Sequence, residues 1–169
     1  MNTVSNPEAP GTAPLQLFIR QSFTEAGERE RAIIQTVFDI IPPCSPSSGI
    51  ELLTGGLAES ATTFREKFEV YSGHPFSPRT FRSWRLGLLD RADAMLIIRT
   101  GLSESGAFEI AYNAYGRKVP MFFAIWSGGP IKTTLLQELD HVCPTHYATF
   151  TDVAELEQPL TAFFATVRS

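Results

Sequence analysis

Two blocks of this chain are apolar at almost every position. Residues 94–98 read AMLII behind Asp93, and residues 119–125 read VPMFFAI, interrupted only by Pro120. Blocks with no polar alternation suit strands buried on both faces. Between them, Phe108, Ala111, Tyr112 and Tyr115 recur at helical spacing, which predicts a helix over 103–116 with Ser103 and Ser105 as candidate N-caps and Gly116 as its stop. Strand, helix and strand in this order make a right-handed crossover unit. Ligands of such units lie beyond the carboxyl ends of the strands, so residues 99–106 occupy the place where a ligand would sit.

The same reading carries along the chain. Residues 15–20 form a first strand, and Ala32, Ile33, Val37, Phe38 and Ile41 mark a helix over 24–41 that Pro42, Pro43 and Pro46 should end. The charges Glu25, Glu28, Arg29, Glu30 and Arg31 in its first turns read as a solvated face. A second strand at 50–53 is followed by a helix over 58–71 with Phe64, Phe68 and Tyr71 on one face, then by a helix over 79–91 carrying Phe81, Trp84 and Leu88. Residues 54–91 are long for one crossover, so part of them is expected to fold over the strand ends as a lid. A short helix over 131–139, a last strand at 147–150 and a final helix capped by Asp152 complete the pattern. Taking the central strands as 94–98 and 119–124, five strands alternating with helices predict an α/β fold: one doubly wound parallel sheet of flavodoxin-like order 2-1-3-4-5. Residues 1–14 read as a loose tail and 15–169 as a single domain.

Composition narrows the function. The 14 basic against 18 acidic side chains give no electrostatic footprint for nucleic acid. No apolar run approaches the ~20 residues needed to span a bilayer, and the first residues lack the basic start and apolar core of a secretory signal. A cytoplasmic protein handling a small molecule is the expectation. Cys44 and Cys143, with His74, His141 and His146, are scattered, so neither a disulfide framework nor a metal site is indicated, and no cofactor is implied. Neither GxGxxG nor GxxxxGK[ST] occurs in the central loop.

The candidate chemistry gathers at the predicted ligand edge. Glu109 falls in the first turn or two of the central helix; it is either a reactive carboxylate or a partner for the helix dipole. Read as a residue near the surface, its replacement by Gln should cost no more than ~1 kcal/mol of stability. Ser103, Ser105 and Gly106 can offer hydroxyls and backbone amides to a phosphate or sugar, or serve only as caps. Arg20 and Arg99 follow strands that should be neighbours, and Ser22 and Phe23 lie in the loop after the first strand. Arg79, Arg82 and Arg85 sit on the proposed lid and rank below Arg20 and Arg99 as anion ligands. Phe23, His74, Phe76 and Trp84 could stack on a flat ring, although an aromatic at helical spacing is more often core. Asp90 and Asp93 lie at the far end of their strand and read as caps or ion pairs. Arg20, Ser103, Ser105 and Glu109 are expected to converge on one cavity.

The segments Ala92-Asp93-Ala94, Glu109-Ile110-Ala111-Tyr112-Asn113-Ala114 and Gly116-Arg117-Lys118-Val119 resemble the nucleoside 2-deoxyribosyltransferase family. There a strand led by aspartate precedes a loop, an ELGYA-like helix start and a GKxV strand. The resemblance implies that Glu109 is the nucleophile attacking the anomeric carbon as the base leaves. Ser103 stands where the family has an acidic loop residue, and Arg85 or a neighbour where it has an upstream aspartate. Serine and arginine in place of acids suit a phosphorylated substrate, as in nucleotide N-glycosidases of the same superfamily. Pockets in these families are often completed by a neighbouring subunit, so a homo-oligomer is also an expectation. The chain further resembles Toll/interleukin-receptor (TIR) domains: Ser103 precedes Glu109 by six residues, and LFIRQSF is similar to their first strand. That resemblance implies hydrolysis of nicotinamide dinucleotide. A nucleotide-binding or adaptor module without catalysis is the third reading.

Overall fold

The computed structural model describes residues 13–22, 26–54 and 61–167, without the side chains of 61–63. Five strands, β1 (Leu15–Gln21), β2 (Ile50–Leu52), β3 (Ala94–Arg99), β4 (Met121–Trp126) and β5 (Thr145–Phe150), form one parallel sheet of order β2-β1-β3-β4-β5. This is the predicted α/β architecture. Five helices accompany it: α1 (Glu28–Cys44), α2 (Ala61–Ser72), α3 (Pro78–Arg91), α4 (Glu104–Tyr112) and α5 (Glu157–Val167).

Strand alternation divides the core in two. Leu15, Leu17, Ile19, Leu96, Phe122 and Ala124 face α1 and α5, meeting Ile34, Val37, Leu160 and Phe163. Phe18, Met95, Ile97, Phe123 and Ile125 face the other way, onto Leu89 of α3, Ile110 and the segment carrying Leu136 and Leu139. Both faces being covered is why β3 and β4 lack polar alternation. At the end of β1 the buried Thr54 hydroxyl takes over from β2, accepting from Ile19 N at 2.7 Å and donating to Ile19 O at 2.6 Å. The α2–α3 pair is held by edge-on aromatics, Phe64 to Phe81 at 5.0 Å and Phe68 to Trp84 at 5.4 Å. Phe76 and Trp84 therefore serve as packing rather than as a ring platform, and His74 is exposed. Instead of acting only as a lid, α3 packs on β1 and buries Leu89 completely.

Several boundaries differ from expectation. Pro42 and Pro43 lie inside the last turn of α1. Burial of Ile40, Ile41 and Cys44 holds that turn, and Ser45 Oγ donates to Ile41 O at 2.8 Å, satisfying a carbonyl near the helix end. The central helix ends at Tyr112 and continues as a wider π turn over Asn113–Arg117. Its stop is Lys118 in the left-handed region (φ 59°), not Gly116. The buried Asn113 side chain pins this turn, donating to Val119 O at 2.9 Å and accepting from Val119 N at 3.2 Å. β4 begins at Met121, after Pro120, which lacks a ladder donor. The helix expected over 131–139 is replaced by 3₁₀ turns at Thr134–Leu136 and Leu139–His141, because Glu138 adopts φ 53° between them. Asp152 caps a 3₁₀ turn at Val153–Leu156 that leads into α5. Asp93 accepts from Gln16 N at 2.8 Å, and Asp90 pairs with Arg117 at 3.4 Å, so both are structural.

Among the described residues no helix is long and apolar enough to cross a membrane, and no group of three or more metal-ligating side chains occurs. Cys44 and Cys143 are free and buried, and burial pushes the Cys143 thiol pKa up. Both thiols are expected to react with a thiol reagent only as fast as the chain opens; titration in native buffer against denaturant checks this.

Candidate active site at the carboxyl edge of the sheet

The loop after β3 turns into α4 through Ser103, whose extended backbone (φ −158°) and side chain form the N-cap, accepting from Gly106 N at 3.1 Å. Arg20, near the end of β1, reaches this cap from the neighbouring strand. Its Nη2 donates to Ser105 Oγ at 2.6 Å and to Ser103 Oγ. Gly106 is small for a reason: a Cβ there would lie 2.9 Å from Arg20 Nε and 3.1 Å from Ser103 Oγ. The loop after β4 is seated by a second glycine, Gly129, whose Cβ would come within 2.4 Å of Thr100 O.

Glu109 lies one turn further along α4, on the inward stripe with Gly106, Ile110 and Asn113, and only 5 % of it is exposed. The aromatic stripe that predicted the helix is largely the outer one, with Phe108 and Tyr115 more than half exposed. Arg85 of α3 binds the Glu109 carboxylate in two-pronged fashion, Nε to Oε1 at 2.8 Å and Nη2 to Oε2 at 3.0 Å. The guanidinium of Arg85 is itself stacked 4.5 Å above the Phe18 ring. Arg20 Nε approaches Oε2 at 3.5 Å. Glu109 is thus a buried, ion-paired carboxylate. The dipole reading fits Glu104, the acidic residue of the first turn, better than Glu109 in the second.

A narrow cleft opens beside this group, bounded by Arg20, Ser22, Arg99, Gly101, Ser103 and Gly106 among others. Ser105 and Glu109 touch Arg20 but do not line the cleft, so the four residues expected on one cavity form instead a contact chain with Arg20 at its centre. Ser22 Oγ donates to Leu102 O at 3.4 Å. Phe23 lies outside the described residues. Arg99, the last residue of β3, is 8 % exposed; burial pushes its guanidinium pKa down, and its Nε has no hydrogen-bond partner among the described residues. Arg79 and Arg82 are exposed, whereas Arg85, ranked with them from sequence, is the residue that holds Glu109. Its one sequence signal was its place where the resembled family has an acid. Arg20 and Arg85 meet the one carboxylate and Arg99 lines the cleft that Arg20 also lines, leaving positive charge for an incoming anion.

Ser103→Ala removes the N-cap and an Arg20 partner together. It is expected to lower stability by about 1 kcal/mol in denaturant titration, the usual loss on replacing a capping serine.

No family model matches the chain, and no curated protein matches it. Solved structures do. The CMP N-glycosidase BcmB of Clostridium botulinum is 14 % identical, with 87 % of this chain and 98 % of that chain covered and a TM-score of 0.58. The solution structure of BlsM is 14 % identical, with 92 % of this chain and 93 % of that chain covered and a TM-score of 0.63. The TIR resemblance draws no support from either. What both similarities show is a common fold, the five-stranded parallel α/β sheet with helices on its two faces.

Proposed function

We propose that the chain cleaves, or transfers at, the N-glycosidic bond of a nucleotide or nucleoside, with Glu109 as nucleophile. The observation that carries this reading is a buried carboxylate at the ligand edge of the sheet, gripped by two arginines beside a serine-capped helix start. The fold shared with a CMP N-glycosidase and the resemblance around residues 92–119 support the same chemistry. The hydroxyls of Ser103 and Ser105, the free amides of the first turn of α4 and Arg20 suit a phosphate. One Glu109 oxygen then has to leave Arg85, because both are engaged in the free protein. That oxygen captures or stabilises the cationic anomeric carbon as the carbon–nitrogen bond breaks, and water or a second base completes the reaction.

Supplying a panel of nucleotides and nucleosides and measuring free base tests the proposal. Release from at least one member is expected, faster for a 5′-phosphate than for its nucleoside. No release from any of them sinks it.

The two-pronged grip of Arg85 favours a second reading, a nucleotide-binding module in which Glu109 is purely structural. That reading predicts nucleotide binding by calorimetry with no base released.

A further inference from the structure

Arg99 ends β3 on the strand face shared with Met95 and Ile97, toward α4. It is 8 % exposed and lines the cleft, and its Nε makes no hydrogen bond among the described residues. The other two arginines of the site are engaged, Arg20 with Ser103, Ser105 and Glu109, and Arg85 with Glu109. A largely buried cation with an N–H left without an acceptor is disfavoured, and an acceptor brought into the cleft against the guanidinium offsets that cost.

The surroundings select the kind of ligand. Besides Arg20, Gln21, Ser22 and Ser103, the cleft that Arg99 lines is walled by apolar side chains, among them Ile97, Ile110, Phe123, Ile131 and Leu136. A phosphate needs several donors around its oxygens, and those are gathered at the start of α4, on Ser103, Arg20 and the first-turn amides. A planar heterocycle has the opposite profile, with apolar faces for the walls and an acceptor edge for one guanidinium.

We infer that the apolar side of the cleft is the subsite for the leaving base and that Arg99 stabilises the negative charge the base carries away. The inference rests on the N-glycosidic reading proposed above. When the carbon–nitrogen bond breaks, its electron pair stays on the ring nitrogen and spreads to the acceptor edge facing Arg99. The anomeric carbon bonds to a Glu109 oxygen and then to the oxygen of water. The remaining water proton ends on the base, and Arg99 stays protonated throughout. Burial, which lowers its pKa, also strengthens its N–H groups as donors.

Two measurements test this. In the first, calorimetry compares barbiturate and urate, ring analogues that are anionic at neutral pH, with neutral uracil and hypoxanthine. One anion is expected to bind the native chain about tenfold tighter than its neutral counterpart, a preference that Arg99→Met loses and Arg99→Lys keeps in part. Circular dichroism establishes that each variant is folded; if Arg99→Met is not, Arg99→Lys carries the comparison through its reduced preference. Absence of the preference in the native chain, or its survival in the folded variant, overturns the inference. So does loss of inorganic phosphate binding in Arg99→Met with ring binding intact.

The second measurement compares leaving groups. For Arg99→Met, kcat is expected to fall about 100-fold with a nucleotide but less than about tenfold with p-nitrophenyl ribose 5-phosphate, whose leaving group needs little help. Equal losses overturn the base subsite while leaving the N-glycosidase reading intact. Arg99-dependent ring binding in a chain that releases no base has the reverse meaning: the subsite stands and the reaction falls.

Discussion

Glu109→Gln is expected to lower base release by about 10³-fold, because the amide keeps the shape of the carboxylate but cannot stabilise a cationic sugar. Full activity in this variant would end the nucleophile assignment. The structure also changes what the substitution should do to stability. Read from sequence as a near-surface residue, Glu109 could be replaced at little cost. It is instead 5 % exposed and bound by Arg85 through both oxygens. Removing its charge leaves Arg85 buried with an amide N–H₂ facing its donors, and breaking such a pair costs about 3 kcal/mol. Activity therefore has to be compared at a temperature where the variant is folded. A cycle with Arg85→Met and Glu109→Met separates the two contributions. Each single change should destabilise more than the double change, since the double variant leaves no unpaired buried charge. Additive losses would mean that the pair contributes nothing to the fold.

Phe122→Ala is the other large effect, and it concerns the platform rather than the chemistry. Phe122, the second residue of β4, is 2 % exposed and in register with Leu96 and His146, and its ring lies 5.3 Å from that of Phe163 in α5. Truncation removes the packing between β4 and α5 and leaves a cavity walled by the sheet. A loss of about 3 to 5 kcal/mol is expected, read as a lower denaturant midpoint at unchanged slope. The ring points away from the α4 face, so the folded variant should keep its affinity for nucleotide. A loss below about 1 kcal/mol would mean that the sheet collapses around the site, contrary to dense packing at its centre.

Much of the site was legible residue by residue and very little of it as geometry. Ser103 as a cap could be read directly, because capping is a local hydrogen bond made within one turn. Arg20 beside Ser103 and Ser105 followed from strand order, since adjacent parallel strands bring their carboxyl ends together. Arg85 was underrated because its partner lies in another helix, and nothing local distinguishes a helix arginine that meets a buried acid from one that meets water. The apolar lining of the cleft that Arg99 shares was equally hidden, as Phe123, Ile131 and Leu136 come from later parts of the chain.

The sequence by itself determined the sheet. Strands buried on both faces leave unbroken apolar blocks, and helices between them leave a different period, so strand number, parallel sense and order could be read before any coordinates. Only the tertiary structure decided where helices stop under competing demands. Burial of Cys44 overrides two prolines, Asn113 widens a helix end, and Glu138 in the left-handed region breaks another. It also decided which arginines are paired. Periodicity records which face of an element is apolar, but a charge is paired or left waiting by groups distant in sequence, and no pattern along the chain encodes that distance.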